Sequence, residues 1–564
     1  MSYNGRWRRV LLDVGNQLEL HPDFSFHCYY LVMFSMIPNC LNGKFLASLL
    51  SLFFAMSVSL LAKPAAPNFV VVYMDDLGWA DTSVPMIEGR EETRSDFYQT
   101  PGLERLAREG MVLSDAYSPA PVCTPSRNAM LHGMTPARML NATLNTKRSF
   151  EEYRGEITIP QALKQANPDY VTAHFGKWHI PAISPVKAGY DVTEKEKGTG
   201  NGEGDFLDDM RTFLPEDDPK RIFSLTEMSK DFISEQVEAE RPFFLQLSHY
   251  SVHIWHDSLK ETRDKYRALP RPSKAMDSDY LPEDEISESA YKHNWLINYA
   301  AMVDDTDRAF VDLLNHLDAL GISENTFVIF TSDNGGGLRG NKPLSGAKGD
   351  LTEGGIRVPF IIRGPGIPKG EYCSVPTAGW DLLPTYYELA GGRSALPEGL
   401  DGVSIAGAFR KGDAAEIERP GDALIFHFPW YNGEPESAIR RGEFKLLKNL
   451  DTQKVALYKL GEDISERNDL SSSYPEVAAS MQKQMTEYLD SVGAEEVNEL
   501  RADFLKNIEG EWLDNAIKRV DSHRAAAAAG DARAQKQLAE AEKYILWLKQ
   551  EAIFTRERMA LAEE

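Results

Sequence analysis

Short apolar runs alternate with amphipathic stretches over most of this chain. In NFVVVYMDD (68–76) an unbroken apolar run ends in two acids, which is typical of a strand buried on both faces with functional groups at its carboxyl end. Further elements follow in the order helix 101–110, strand 111–118, helix 159–166, strand 170–176, helix 224–240, strand 242–250, helix 291–320, strand 326–336, strand 358–366 and helix 380–391. This alternation predicts an α/β fold with a mostly parallel central sheet flanked by helices.

The pattern changes near residue 415, where the helices between the strands disappear. Short apolar segments with turn signals stand at 422–430, 437–449 and 455–463, which predicts a small antiparallel sheet. A helix over about 475–491 is expected to pack on that sheet. We therefore predict a large α/β domain at 67–415 and a C-terminal α+β subdomain at 416–493.

The last part of the chain, 494–564, is rich in Ala, Glu, Lys and Arg with scattered large apolar residues, as in AQKQLAEAEKYILWLKQEAIF. This composition predicts a helical tail with an apolar stripe. The stripe can dock on the subdomain or on another subunit, so a homo-oligomer formed through the tail is one of two expectations.

The first 66 residues differ from the rest of the chain. Lys44 precedes an apolar run from Phe45 to Leu61, and small residues and prolines follow it. This is the layout of a signal peptide at about 44–66, and it predicts a periplasmic or secreted protein. An N-terminal membrane anchor is the alternative. Because a signal peptide rarely begins at residue 44, Met36 is a candidate start and residues 1–35 an over-extension.

The charge balance limits the partners of this protein. The 564-residue chain is 42% hydrophobic and 26% charged, with a formal charge of −24, which indicates a soluble globular protein and argues against nucleic acid as a partner. An acidic protein that binds an anion has to concentrate cations locally, so clusters of Lys, Arg or metal ligands are of interest.

Cysteines are few, and removal of the predicted signal segment leaves two of them. Cys28 and Cys40 would be lost, and Cys123 and Cys373 would remain. Two cysteines do not make a disulfide framework. An unpaired cysteine in a turn of an exported protein calls for a chemical explanation.

Polar residues follow two of the predicted buried strands. Asp75 and Asp76 come directly after the first, and Asp333 and Asn334 follow the strand that begins at 326. Ligands of α/β folds sit at the carboxyl ends of the strands. Oxygen ligands alone suit a hard cation, Ca²⁺ or Mg²⁺. A single acidic pair is as easily a turn or helix cap, but two pairs at one sheet edge favour a metal site.

Several cationic or imidazole groups stand near other strand ends. Lys177 and His179 lie two residues apart and point to the same side of an extended segment. His249, His253 and His256 follow another strand, and Lys348 lies in a Gly-rich loop. Each alone is more simply a solvated or core residue. Together they predict a positive, metal-bearing pocket for an anion.

The segment PVCTPSRNAMLHG (121–133) places Cys123 at the start of a predicted helix. Pro125 is a good first-turn residue, and the helix N-terminus favours negative charge. Arg127 lies on the same helical face. We therefore expect a lowered thiol pKa at Cys123, with a role as nucleophile or metal ligand beside a cation.

The same segment resembles the C-x-P-S-R signature of the type I, formylglycine-dependent sulfatases of the alkaline-phosphatase superfamily. The segments MDDLGWAD, GKWH, TSDNGG, the His253 segment and the Lys348 loop occur in the family's order, and the resemblance covers about 68–470. Two positions depart from the family pattern, His132 where Thr is usual and Asp169 where Gly is common. The resemblance implies an alkaline-phosphatase-like catalytic domain.

The resemblance also implies roles for individual residues. Cys123 would be converted to Cα-formylglycine by a formylglycine-generating enzyme, and its aldehyde hydrate would attack sulfur. The implied Ca²⁺ ligands, with Mg²⁺ as a substitute, are Asp75, Asp76, Cys123, Asp333 and Asn334. Arg127 and Lys177 would hold the hydrate, and His179 would act as base when the aldehyde is regenerated. His253 and Lys348 would contact the sulfate and the leaving oxygen, with His253 as the general acid.

Two other functions stay open at this point. A phosphatase or phosphodiesterase of the alkaline-phosphatase superfamily shares the sheet, although such enzymes usually use Ser or Thr and a two-metal site. A sulfated-glycan binding protein without activity is the second alternative. Export and the segment FHFPWYNGEPES, with His427, Trp430 and Tyr431 as candidate sugar-stacking groups, favour a sulfated carbohydrate as substrate. Aromatic residues are also ordinary core residues, and neither the sugar nor the sulfate position follows from the sequence.

Overall fold

The first strand of the central sheet is buried on both faces. In the computed structural model, which describes residues 66–141, 157–199, 217–254, 256–272, 295–337, 341–429 and 434–563, every residue of β1 (Asn68–Met74) is buried. Val70 and Val72 contribute to one apolar cluster, and Phe69 and Val71 to another on the opposite face. This alternation puts a packed layer on each side of the sheet, as predicted from the apolar run.

Thirteen further strands are present in the described residues. They are β2 (Met111–Leu113), β3 (Ala116–Tyr117), β4 (Val171–Gly176), β5 (Val192–Thr193), β6 (Phe243–Ser248), β7 (Thr326–Ser332), β8 (Phe360–Arg363), β9 (Glu371–Cys373), β10 (Thr377–Ala378), β11 (Ala423–Phe428), β12 (Glu436–Arg441), β13 (Phe444–Asn449) and β14 (Val455–Lys459). The central sheet has the order β5-β4-β6-β1-β7-β8-β2-β9. All neighbours are parallel except β8, which runs antiparallel to both β7 and β2. The predicted mostly parallel sheet is confirmed.

Helices cover both faces of this sheet and continue into the C-terminal region. They are α1 (Pro101–Glu109), α2 (Cys123–His132), α3 (Pro136–Met139), α4 (Ile159–Ala166), α5 (Ile222–Glu238), α6 (Lys260–Ala268), α7 (Trp295–Ala319), α8 (Glu353–Ile356), α9 (Leu382–Leu389), α10 (Ala406–Lys411), α11 (Pro475–Val492), α12 (Val497–Asn507), α13 (Leu513–Ala528) and α14 (Ala532–Glu563). Short 3₁₀ turns lie at Glu91–Thr93, Pro219–Arg221, Ser323–Asn325, Gly379–Asp381, Gly412–Ala414 and Pro420–Asp422, and a π turn at Ile508–Trp512 joins α12 to α13.

The C-terminal sheet is antiparallel, in the order β11-β12-β13-β14, and it is also buried on both faces. Phe426 and Phe428 join an apolar cluster with Tyr117 and Trp380 of the α/β part. The opposite face packs against α11, where Met481 is fully buried. The predicted antiparallel sheet with its packed helix is therefore confirmed.

The tail is helical, as predicted, and has a small core of its own. Ile508, Ala516, Leu548 and Ala552 form its buried centre. Residues from Ala66 onward form one compact unit. The domain boundaries at 415 and 493 stay predictions.

The segment 111–118 was predicted as one strand, and this prediction is wrong. A turn at Ser114 and Asp115 divides it into β2, in the central sheet, and β3, which pairs with β10. At this turn the Arg357 guanidinium donates to the Ser114 carbonyl at 2.8 Å and pairs with the Asp115 carboxylate.

The predicted signal peptide lies outside the described residues, as do Trp430 and Tyr431. Among the helices of the described residues, none is both long enough and apolar enough to span a membrane.

Candidate active site

The ends of β1 and β7 bring the two predicted acidic pairs together. These strands are parallel neighbours, and Met74 is in register with Ser332, so the residues after each strand emerge at the same edge. The Asp76 N–H donates to Oδ1 of Asp333 at 3.2 Å, and the Asn334 amide donates to Oδ1 of Asp76 at 2.8 Å. The two acidic pairs therefore converge at one edge of the sheet, as predicted.

Helix α2 delivers Cys123 and Arg127 to this edge. Cys123 is the first residue of the helix, and all ten residues of α2 are buried. The Arg127 side chain donates to Oδ2 of Asp333 at 2.8 Å and to the Lys177 carbonyl at 2.8 Å. Arg127 also lies over the Tyr73 ring, 5.1 Å from its centroid. Arg127 thus ties the helix to β7 and to the segment after β4.

Lys177 and Lys348 form ion pairs with Asp75 and Asp76. Nζ of Lys177 lies 2.6 Å from Oδ2 of Asp75, and Nζ of Lys348 lies 2.6 Å from Oδ1 of Asp76. Nζ of Lys348 also lies 3.3 Å from Sγ of Cys123. Lys177 is fully buried, which a lysine tolerates when it is paired. The predicted cluster of positive charge is therefore assembled around the carboxylates.

The ligand atoms of this cluster fit a hard metal ion. One atom each from Asp75, Asp76, Cys123 and Asp333 lies within 4.8 Å of the others, the single such group found among the described residues. Oδ1 of Asp75 and Oδ1 of Asn334 are buried and have no hydrogen-bond partner among the described residues. Buried oxygens are normally satisfied, so two unsatisfied oxygens beside two further carboxylates indicate a cation site.

Burial and neighbouring charge set the protonation of the site. Burial raises the pKa of Asp76, but Lys348, His253 and Lys177 outweigh it and hold that pKa well below its usual value. Burial raises the pKa of Asp333 to about 6, with Arg127 opposing the rise. Asp76 is therefore ionised at neutral pH.

The thiol of Cys123 behaves differently from the prediction. Burial raises its pKa to about 12, although Lys177 and Lys348 act to lower it. The predicted lowering is wrong because the side chain lies in the interior, 2% exposed, beside two carboxylates. The unmodified thiol is therefore protonated and a poor nucleophile.

His179 and His253 lie in the same electrostatic cluster. Burial, then Lys177, holds the pKa of His179 well below its usual value, and its buried Nδ1 has no hydrogen-bond partner among the described residues. Burial, then Lys177, lowers the pKa of His253 to about 3. Nδ1 of His253 donates to the Ile254 carbonyl at 2.8 Å, so its unprotonated Nε2 faces Asp76, 3.9 Å away. Both imidazoles are neutral near pH 7.

Three other histidines named in the sequence analysis are also buried: His249, whose Nδ1 has no hydrogen-bond partner among the described residues, His256 and His427. His256 packs edge-on against Trp295 and Tyr299. His249 is buried after β6, and its backbone N–H donates to the Tyr73 carbonyl. His427 is buried in β11, where its ring bonds Ser437 and the Glu495 carbonyl, so it is not a sugar-stacking group.

Some residues that shape the site were missed by the sequence analysis. The Thr199 hydroxyl donates to the Gly176 carbonyl and accepts from the Trp178 N–H, which holds the segment of Lys177 and His179. The Asn341 amide donates to the Gly336, Gly346 and Gly354 carbonyls and so closes the Lys348 loop. Neither residue stands in a periodic or spaced pattern that marks it.

A buried ion cluster connects the Lys348 loop to the C-terminal sheet. Nζ of Lys445 lies 2.8 Å from Glu353 and 2.9 Å from Glu466, and all three side chains are about 1% exposed or less. The Glu353 N–H donates to Glu466 at 2.7 Å, and Arg357 binds Glu353 at 2.9 Å. We refer to Glu353, Arg357, Lys445 and Glu466 as the Glu353 cluster. It fixes the helix that follows the Lys348 loop.

The chain is similar to several known proteins. A family model described as Sulfatase matches residues 67–392. A protein described as "Sulfatase" from Formosa agariphila is 27% identical over 80% of this chain and 91% of its own length. The N-acetylgalactosamine-6-sulfatase of Canis lupus familiaris is 30% identical over 68% of this chain and 72% of its own length. The crystal structure of Ps i-CgsB in complex with k-i-k-neocarrahexaose superposes with a TM-score of 0.59, at 26% identity, over 75% of this chain and 93% of that chain.

Proposed function

The chain belongs to the sulfatase family and is a sulfuric ester hydrolase, and from that premise we propose that it removes sulfate from a sulfated carbohydrate. The nucleophile is the side chain of Cys123 after conversion to Cα-formylglycine, and a Ca²⁺ ion, or Mg²⁺ in its place, assists. The observation that carries the proposal is the position of Cys123 Sγ, which lies 3.3 Å from Lys348 Nζ and within the carboxylate cluster.

The pKa of Cys123 supports a modified nucleophile. A thiol with a pKa of about 12 is protonated at neutral pH, so the cysteine as translated is inert toward a sulfate ester. One hydroxyl of a formylglycine hydrate would form a bond to sulfur as the S–O bond to the sugar breaks. Deprotonation of the second hydroxyl would then restore the aldehyde as the C–O bond to sulfate breaks. Because Cys123 is 2% exposed in the folded chain, a maturation enzyme has to reach it before folding is complete.

A bound Ca²⁺ would neutralise the sulfate and polarise its S–O bonds. Asp75, Asp76, Asp333 and Asn334 would hold it, and the unsatisfied oxygens of Asp75 and Asn334 support that assignment. Arg127 orients Asp333 by charge-assisted hydrogen bonds. The ligand set thereby has one arrangement before substrate arrives.

The lysines and histidines of the site have separate tasks in the proposal. Lys177 and Lys348, both with pKa values above the usual range because paired carboxylates outweigh their burial, stay charged and bind the sulfate oxygens. Neutral His179 accepts the proton of the second hydroxyl as sulfate departs. His253 donates a proton to the leaving alcohol, which requires that the bound anion raises its pKa above that of the free site.

The relatives support a carbohydrate as the substrate class. The Canis lupus familiaris protein is named for a sulfated amino sugar, and the Ps i-CgsB crystal structure holds k-i-k-neocarrahexaose, an oligosaccharide. A glycan substrate also agrees with the signal peptide proposed at about 44–66, because sulfated polysaccharides occur outside the cytoplasm, where an exported enzyme can reach them.

A panel of substrates tests the proposal. Protein produced together with a formylglycine-generating enzyme is assayed on defined sulfated sugars, on the matching phosphorylated sugars and on nitrophenyl sulfate, and the Cys123 peptide is examined by mass spectrometry. We expect an aldehyde at position 123 and sulfate release from at least one sugar. Faster release of phosphate than of sulfate would favour the phosphatase alternative. Binding of sulfated glycans without turnover, in aldehyde-bearing protein, would favour the non-catalytic one.

A further inference from the structure

Helix α14 exposes an unusual amount of apolar surface. Half of the large apolar side chains that are exposed in the described chain lie on this helix: Tyr544, Leu546, Trp547, Ile553 and Phe554, which are 39–58% exposed. The Tyr544 and Trp547 rings stack with their centroids 5.7 Å apart. Contiguous apolar patches of this kind mark interaction surfaces.

The core of the tail does not account for this patch. Leu548, Ala552 and Thr555 are buried on the side of α14 that packs on α12 and α13. Leu546 and Phe554 lie on the opposite side of the helix. Each is two residues from a buried position, Leu548 or Ala552, and two residues correspond to a rotation of about 200° around the helix axis. Helix α14 is therefore apolar on two faces. One of them is exposed, and there Arg558 of the same helix lies over the Phe554 ring, 4.5 Å from its centroid.

The exposed face has a regular sequence. Its positions recur at i, i+3, i+4, i+7, i+10, i+11 and i+14, the spacing of one face of an α-helix. We call this set the outer stripe, and it consists of Lys543, Leu546, Trp547, Gln550, Ile553, Phe554 and Glu557. All seven side chains are exposed. The stripe is symmetric about Gln550, with two apolar pairs inside and opposite charges at its ends.

We propose that the outer stripe binds the outer stripe of a second copy of this chain, antiparallel, with the two-fold axis at Gln550. In that register Trp547 meets Ile553 of the partner subunit, and Leu546 meets Phe554 of the partner subunit. Lys543 meets Glu557 of the partner subunit. Each of these contacts occurs twice, because the two-fold axis relates the two subunits. A two-fold interface requires this self-complementarity.

The charges favour this occupant over others. A parallel pairing would place Lys543 against Lys543 of the partner subunit, which is repulsive. An anionic lipid surface attracts helices with a basic rim, whereas the residues that flank the outer stripe carry both signs of charge: Glu542, Lys549, Glu551, Arg556 and Arg558. A second copy in antiparallel orientation has a complementary charge pattern, because each end of its stripe faces the opposite charge.

The size of the stripe sets the strength of the contact. Aromatic side chains bury roughly 150–250 Å² each, and Leu and Ile are smaller, so the four half-exposed side chains offer at most about 400 Å² on each subunit. With their polar neighbours, this reaches the low end of specific interfaces, about 1,000 Å² in total. We therefore expect a dimer with a dissociation constant in the micromolar range.

Sedimentation velocity of the purified protein from about 1 to 100 µM tests the proposal. The natural protein should pass from monomer to dimer over this range. Lys543→Glu alone and Glu557→Lys alone should each weaken dimerisation about tenfold or more, because like charges then face each other twice. The double variant Lys543→Glu/Glu557→Lys should restore it. Lys549→Glu, on the same helix but outside the outer stripe, is the matched control and should leave it unchanged.

A cysteine at the proposed axis tests the register separately. Gln550→Cys should give a disulfide-linked dimer under mild oxidation, and Lys549→Cys should not. The proposed dimer is contradicted if the natural protein is monomeric at about 100 µM. It is also contradicted if the double charge swap fails to restore dimerisation, or if the variant Trp547→Asp/Phe554→Asp still forms the dimer. Vesicle binding by monomeric protein that this last variant loses would instead assign the stripe to a lipid surface.

Discussion

Nζ of Lys348 lies 3.3 Å from Sγ of Cys123 and 2.6 Å from Oδ1 of Asp76. A cation that contacts both the proposed nucleophile and a carboxylate of the candidate metal site is placed to act on charge that develops between them. Burial lowers the pKa of Lys348, but the paired carboxylate of Asp76 outweighs it and raises that pKa above its usual value, so the ammonium is charged at neutral pH.

Loss of this ammonium should therefore affect the rate more than the fold. We expect Lys348→Met to lower kcat about 10²–10³-fold, the effect of removing one preorganised charge from a transition state. Steady-state assays on an arylsulfate measure kcat, and circular dichroism shows whether the variant is folded. Lys342→Met, an exposed lysine of the same loop, is the control and should keep its activity. An active Lys348→Met protein would remove this lysine from the proposed mechanism.

Removal of the proposed Ca²⁺ should abolish activity and lower the melting temperature. Asp75, Asp76 and Asp333 lie close enough to share one ion, so without it their charges repel each other. Dialysis against a chelator should inactivate the protein, and Ca²⁺ should restore both activity and melting temperature. Metal analysis of Asp333→Asn should show less bound ion than Asp96→Asn, which changes an exposed carboxylate. Unchanged activity after complete chelation would contradict the metal site.

The strand-end carboxylates were predictable because their position follows from a local pattern. An apolar run that ends in acids gives both the strand and the edge, and parallel pairing of β1 with β7 then brings Asp75 and Asp333 together. The start of helix α2 at Cys123 likewise follows from Pro125 and the apolar residues after it. Local sequence is sufficient where the contact depends on one element and its end.

Other features depend on contacts between distant segments and left no local signal. Glu353 meets Lys445 and Glu466 across 92 and 113 residues, and no spacing in the sequence joins them. His427 was a candidate sugar contact because its segment is aromatic, but the carbonyl of Glu495 covers its ring. The raised pKa of Cys123 results from burial, which the helix N-terminus alone does not reveal.

The Glu353 cluster makes one contribution to stability depend on pH. Burial raises the pKa of Glu466 to about 7 from 4.5, although Lys445 opposes the rise. Lys445 and Arg357 hold the pKa of Glu353 below its usual value despite its burial. Between about pH 4.5 and 7 the folded protein thus binds a proton at Glu466 that the unfolded chain does not. The stabilisation from Glu466 is complete below pH 4.5 and is lost as the pH rises through 7.

We therefore expect Glu466→Gln to remove this pH dependence. Urea unfolding at pH 5, 6, 7 and 8 gives the free energy of unfolding of both proteins. The natural protein should lose about 2 kcal/mol relative to the variant between pH 5 and pH 8. Glu462→Gln, an exposed carboxylate nearby, should show no such difference. Parallel curves for the natural protein and Glu466→Gln would mean that Glu466 is ionised throughout.

The last prediction concerns His253 and the leaving group. In the free site its pKa is about 3, because the imidazole is partly buried near Lys177 and Lys348, and Nε2 carries no proton at neutral pH. A bound sulfate would bring negative charge next to this imidazole and raise its pKa. A sugar alcohol is a poor leaving group and needs that proton, whereas a nitrophenol leaves unaided. His253→Ala should therefore lose about 10²–10⁴-fold on a sugar sulfate and much less on nitrophenyl sulfate.

The comparison with Lys348 decides which group is the acid. Lys348 is already protonated in the free site, so it needs no pKa change to donate. If His253 is the acid, Lys348→Met should lower the rates of both substrates equally, because its charge binds the sulfate in each. If the lysine is the acid, Lys348→Met should be the variant that selectively loses the sugar sulfate. His179→Ala, which affects the later release of sulfate, should slow both substrates and let sulfated enzyme accumulate, visible by intact mass spectrometry. Equal losses on the two substrates for His253→Ala, with selectivity appearing in Lys348→Met, would transfer the acid role to the lysine and leave His253 as a ligand of the sulfate.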